Sequence, residues 1–124
     1  MLALGSTFLV PTPPLFNVKH LFIIIAIQSN LERALVVNVT SERNECEGIC
    51  FLEDGEHPFI THRSKINYAR AKITKISKLE ESIKNGKAEE HQSINDTLLK
   101  RIRQGALISQ EIPGKCYDFL CSNF

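Results

Sequence analysis

The chain has 124 residues, 43% of them hydrophobic and 23% charged, with 15 lysines and arginines against 14 aspartates and glutamates. That length suits one domain with one modest core, spanning residues 1–124. The near-cancelling charge excludes bulk attraction to nucleic acid, so any anion site has to come from local clustering.

Residues 7–10 read as a short strand after Gly5-Ser6. Pro11, Pro13 and Pro14 then interrupt regular structure, because proline lacks a ladder donor and restricts the residue before it. Lys19 and His20 lead into the most apolar run, 21–27, Leu-Phe-Ile-Ile-Ile-Ala-Ile. Seven residues fall far short of the ~20 a membrane-crossing helix needs. The β-branched content predicts a buried strand instead. Residues 28–30 are turn chemistry, and 35–39, Leu-Val-Val-Asn-Val, form a second strand that pairs with the first as a hairpin. It ends in Thr40-Ser41. A polar loop over 42–47, a short strand over 48–52 and a turn at Glu53-Asp54-Gly55 follow.

Pro58 fixes a bend, and Phe59-Ile60 is an apolar anchor. Ser64, Ile66 and Tyr68 share one strand face, but the apolar phase then moves to Ala69, Ala71 and Ile73. A bulge near Ala69-Arg70 is the simplest repair. Beyond Ile76 the period becomes helical. Ser77 is a candidate cap, Leu79 and Ile83 lie one turn apart, and Gly86 suits a helix stop. Residues 87–92 read as a charged linker. Ser93 or Asn95 starts a second helix carrying Leu98, Leu99 and Ile102, with Lys100, Arg101 and Arg103 outward and Gly105 at its end. Residues 109–113 make a turn before a last short helix over 115–120. Five short strands followed by helices describe an α+β domain whose sheet curls into a small barrel, since closure removes exposed hydrophobic edges.

The N-terminal residues lack the positive region and long apolar stretch of a signal peptide, so a cytoplasmic protein with reduced thiols is expected. Cys46, Cys50, Cys116 and Cys121 do not have zinc-ribbon spacing, which favours packed or surface thiols over a metal site. No metal or cofactor is expected.

Candidate chemistry gathers around residues 55–73. His57 and His62 flank Pro-Phe-Ile-Thr, and imidazoles suit proton transfer near neutral pH. Turn and strand-entry packing are the structural alternatives, and favoured for His57. Arg63, Arg70 and Lys72, with Lys19 and His20, are candidates for a basic phosphate groove, since arginine binds phosphate through a planar fork. A solvated strand face is the alternative. Thr40, Ser41 and Ser64 offer hydroxyls to a ligand or to strand ends. Tyr68 either stacks on a base or fills the core. No Gly-rich phosphate loop, nucleophile elbow, His-Glu-x-x-His or dinucleotide fingerprint is present.

The order of these features resembles the toxin family of MazF, Kid and PemK, the RNA-cutting ribonucleases of toxin–antitoxin pairs. The parallels run through 5–10, through Lys19-His20 and the strand after it, through 35–41 with its Thr-Ser end, and through 98–109. Gly-Glu-His-Pro-Phe-Ile-x-His-x-Ser and Arg-Ile-Arg-Gln-Gly-Ala-Leu-x-Ser also resemble a set of bacterial proteins grouped near this superfamily. The resemblance implies an SH3-like barrel, often a homodimer, an antitoxin partner and single-stranded RNA cut by 2′-hydroxyl attack. Thr40 matches the family's hydroxyl after the third strand. Lys19 stands in its arginine's place, and His20 in its proline's. Arg70 or Arg63 would then stabilise the phosphate, His62 would move the proton and Thr40 would orient the scissile group. Lys19, His20, Arg63, Ser64 and Tyr68 would contact substrate. A non-catalytic barrel binding a protein or nucleic acid through the same face is the alternative.

Overall fold

The two β-branched runs lie side by side in the middle of one sheet. The computed structural model describes residues 2–11 and 18–124, so the proline-rich 12–17 loop lies outside the described residues. Among the described residues the strands are β1 (Thr7–Pro11), β2 (Lys19–Ile27), β3 (Arg33–Ser41), β4 (Phe51–Leu52), β5 (Ser64–Lys75) and β6 (Glu89–His91). They form a six-stranded sheet in the order β4-β5-β3-β2-β1-β6, antiparallel at every junction. The helices are α1 (Ile76–Lys84), α2 (Asp96–Ile108) and α3 (Gly114–Ser122). The α+β class and the β2–β3 hairpin agree with expectation.

Two expectations need correction. The sheet has six strands, because the charged 87–92 stretch contributes β6. It also curls into a half-barrel without closing, with β4 and β6 as its two edges. A helix-rich C-terminal part supplies the burial that closure would have supplied.

That burial is two-sided. Leu21, Ile23, Ile25, Leu35, Val37, Ile66 and Tyr68 pack on one face against Leu98, Ile102 and Ala106 of α2 and Cys116, Phe119 and Leu120 of α3. Phe22, Ile24, Ala34 and Val36 pack on the other against Phe8 and Leu2, and against Ile76 and Leu79 of α1. A strand buried on both faces has no reason to alternate, which is why 21–27 reads as a continuous apolar run.

Helix ends follow local chemistry in part. Asn95 caps α2, its Oδ1 accepting the Leu98 N–H at 2.8 Å. Gly86, at φ +82°, follows the end of α1. Ser77 is not a cap: α1 starts at Ile76, straight out of β5, with no side-chain cap. Gly105 does not end α2, which runs on to Ile108. A β-carbon at 105 would run into the Tyr68 hydroxyl, so glycine there lets α2 approach the sheet. Arg103 faces inward rather than outward, 9% exposed, its guanidinium 4.1 Å from the Phe124 ring centroid.

The bulge expected near Ala69-Arg70 is present. Val36 pairs with Lys72 and Asn38 with Asn67, so Val37 alone stands opposite the four residues from Tyr68 to Ala71. Tyr68 and Ala71 turn into the core while Ala69 and Arg70 turn out to solvent.

Candidate functional site

α1 covers only part of the second sheet face. On the rest, the side chains of β2, β3 and β5 that point away from α2 and α3 line an open groove of about 580 Å³. His20 and Phe22 come from β2, Asn38 and Thr40 from β3, and Asn67, Ala69, Arg70 and Lys72 from β5; Asn44 and Cys46 of the following loop form one wall.

Strand alternation selects these residues. His20 and Phe22, like Asn38 and Thr40, are two apart and share a face. The bulge then swings Arg70 out of the core phase and onto the same side as Lys72. Lys72 Nζ sits 5.5 Å from the centroid of Phe22, whose ring is stacked on Phe8 at 5.6 Å. Arg70 has no ion-pair partner among the described residues. No carboxylate lines the groove among the described residues. Two permanent cations and an imidazole therefore face solvent together, which favours an anionic ligand.

The floor of the groove is amide. Asn38 and Asn67 are cross-strand partners, 6% and 7% exposed. The Oδ1 of each is buried without a hydrogen-bond partner among the described residues. Buried polar atoms almost always find a partner, so two orphaned amide oxygens on neighbouring strands depart from ordinary packing.

Lys65 fixes the wall. It is 5% exposed, and its ammonium donates to the carbonyls of Asn44 and Cys46, both at 2.6 Å. Burial pushes the Cys46 thiol above its ordinary value, although Lys65 pulls it back. This keeps Cys46 a thiol rather than a nucleophilic thiolate.

The structure divides the residues named from the sequence. Thr40, Arg70 and His20 converge on the groove, with Lys72. His62 lies outside it, in a shallower depression of about 300 Å³ shared with Ser41, Glu42, Arg43 and Arg63. Arg63 is engaged there: it donates to Glu53 at 3.0 Å and to Glu42 at 3.4 Å, and lies 4.0 Å from the Phe51 ring centroid. Lys19 neighbours His20 in β2 and is paired with Glu89 of β6 at 3.4 Å; among the described residues it does not line the groove. Ser64 is buried and donates to the His62 carbonyl at 3.0 Å. Tyr68 is wholly buried, its hydroxyl donating to the Ile102 carbonyl at 2.8 Å, so it cannot stack on a base. Burial drives its phenol far above the ordinary value.

His57 is structural, as favoured. Its Nδ1 accepts the Phe59 N–H at 3.0 Å, so Nε2 carries the proton and donates to the Gln92 carbonyl at 2.6 Å. Asn38 and Asn67 were not singled out from the sequence. Neither breaks its strand's alternation: Asn38 lies between the core-facing Val37 and Val39, and Asn67 between Ile66 and Tyr68, where an outward polar residue is ordinary, so the sequence carried no signal for them.

No family model, curated protein or solved structure matches the chain. The groove's own geometry has to carry the functional reading.

Proposed function

We propose that the chain binds single-stranded RNA in this groove and cleaves it, as a toxin-like endoribonuclease on an SH3-like half-barrel. The observation that carries the reading is the convergence of Arg70, Lys72 and His20 opposite Thr40 in a groove whose described lining holds no carboxylate. Phosphodiester cleavage without a metal needs a cation at the phosphate and a group that moves a proton. Arg70 supplies the first, with its fork on the non-bridging oxygens. Thr40 orients the phosphate by donating a hydrogen bond. His20 takes the proton of the 2′-hydroxyl as that oxygen attacks phosphorus. The P–O5′ bond breaks, leaving a 2′,3′-cyclic phosphate, and the departing 5′-oxygen takes a proton from water. His20 thus replaces His62 in the role that the sequence suggested. An acidic antitoxin segment would close the same groove by occupying its cations. A homodimer would extend the cationic surface.

Incubation of the purified protein with mixed single-stranded RNA tests this. Wild type should produce fragments ending in cyclic phosphate, and Arg70→Ala and His20→Ala should abolish them. His62→Ala should cleave at the wild-type rate. RNA that binds but stays intact would leave a non-catalytic binding module. RNA that neither binds nor breaks would overturn both readings.

A further inference from the structure

We propose that the side-chain amides of Asn38 and Asn67 form an oxyanion cradle in the groove floor, donating N–H to the non-bridging oxygens of one phosphate. The inference rests on the RNA reading for what carries that phosphate, and the phosphate site is testable apart from cleavage.

The two residues are cross-strand partners on one sheet face. Partners in that position hold their β-carbons about 5 Å apart. Both line the groove, and both are more than nine-tenths buried. The amides are turned the same way. Each oxygen is closed off inside, with no partner among the described residues. Neither Nδ2 is closed off in that way, and neither has a hydrogen-bond partner among the described residues. The end that each side chain offers to the groove is therefore the –NH₂, which only donates. The rest of the described lining agrees. Thr40 lies two residues from Asn38 on the same face and carries a hydroxyl, and Arg70 and Lys72 of β5 are obligate donors. Donors below and cations above suit a ligand rich in acceptors and with no donor of its own. A phosphodiester fits, because its two non-bridging oxygens share one negative charge and carry no proton. Each oxygen takes an N–H from one amide and keeps lone pairs for Arg70. As the 2′-oxygen attacks, charge grows on these same oxygens, where fixed donors act most strongly. The amides are neutral, so they hold the phosphate without the counterion release that Arg70 and Lys72 bring.

The test titrates inorganic phosphate, and separately dimethyl phosphate, into the wild-type protein. Proton–nitrogen NMR follows the side-chain –NH₂ signals of Asn38 and Asn67, assigned through the backbone. Both should shift and saturate together with the Arg70 Nε–H signal. The –NH₂ signals of Asn30 and Asn85, exposed and outside the groove, should stay still. Asn38→Leu and Asn67→Leu keep the approximate shape without the donors. Each should bind phosphate roughly tenfold more weakly, the worth of one hydrogen bond to a charged group. Each should also leave the salt slope of RNA binding unchanged, whereas Arg70→Ala reduces it. If a leucine variant fails to fold, the wild-type shifts alone decide. Amide signals that stay still while Arg70 responds would overturn the cradle and leave a cationic phosphate site. Leucine variants that bind phosphate as tightly as wild type would overturn it too, as would a protein in which none of these signals responds to either phosphate. Shifts at both amides in a protein that leaves RNA intact would uphold the cradle and overturn the nuclease reading alone.

Discussion

At the scale of single residues, two positions show backbone and packing setting the limits. Leu31, in the β2–β3 turn, has φ 59° and is 65% exposed. A branched side chain in the left-handed region costs about 1–2 kcal/mol, and exposure there recovers little by burial. Leu31→Gly should raise stability by about 1 kcal/mol, read as a higher urea midpoint at unchanged m-value. Gly105 is the converse. Alanine is the better helix former by about 1 kcal/mol, but its methyl would overlap the Tyr68 hydroxyl. Gly105→Ala should therefore destabilise, by about 1–3 kcal/mol, as overpacking does. Tyr68→Phe deletes the hydroxyl that a methyl would meet, so Gly105→Ala should cost less in that background. A double-mutant cycle measures the difference. Asn95 and Gly86 were legible because a cap and a stop depend on neighbours in sequence. Gly105 was misread because its reason lies on another element.

At the scale of elements, β6 illustrates how a polar stretch becomes a strand. Glu89, Glu90 and His91 carry no apolar pattern, yet they pair with Leu9, Phe8 and Thr7. What holds them is a side-chain clasp. Thr7 Oγ1 donates to the Gln92 carbonyl at 2.7 Å, His57 donates to the same carbonyl, and the His57 and His91 rings lie 4.9 Å apart. Burial holds His57 below the ordinary histidine value; the bond to the Gln92 carbonyl pulls the other way, and the neighbouring His91 adds a smaller push downward. Above pH ~6.5 the imidazole is neutral in both folded and unfolded chains. Below that, the unfolded chain takes up a proton that the folded one resists, so stability falls as the pH drops. The urea midpoint of wild type should decline from about pH 7 to about pH 5, and His57→Gln should make that decline shallower. Lys65 does the same kind of work for the 42–47 loop. Lys65→Met should leave the Asn44 and Cys46 carbonyls without their donor, and limited proteolysis should then cut that loop faster than in wild type.

At the scale of the whole molecule, the strands that fill the centre were readable because β-branched density survives any tertiary arrangement. The site was half readable. Thr40, Arg70 and His20 belong together, but His62 and Arg63 do not join them, because Thr40 and Ser41 point to opposite sheet faces and only Ser41 faces the His62 depression. Sequence proximity of His62 to Arg70 says nothing about which side each faces. If Arg70 and Lys72 each hold a phosphate, the logarithm of RNA affinity should fall against the logarithm of salt with a slope of about −1.4. Arg70→Ala should halve that slope, which a salt titration of the binding curve would show.

The widening between Asn67 and Lys72 has an evolutionary corollary. Val37 faces four residues of β5, three more than a regular ladder would place there. Excising residues 69–71 would join Tyr68 directly to Lys72 and restore that ladder, with Lys72 still opposite Val36 and every flanking side chain keeping its side. The scaffold would lose one small core side chain, Ala71, and the acceptor of the Cys116 thiol, together with the guanidinium. A lineage could thus shed or regain this chemistry through one in-frame, nine-nucleotide deletion or insertion, without renegotiating the architecture around it.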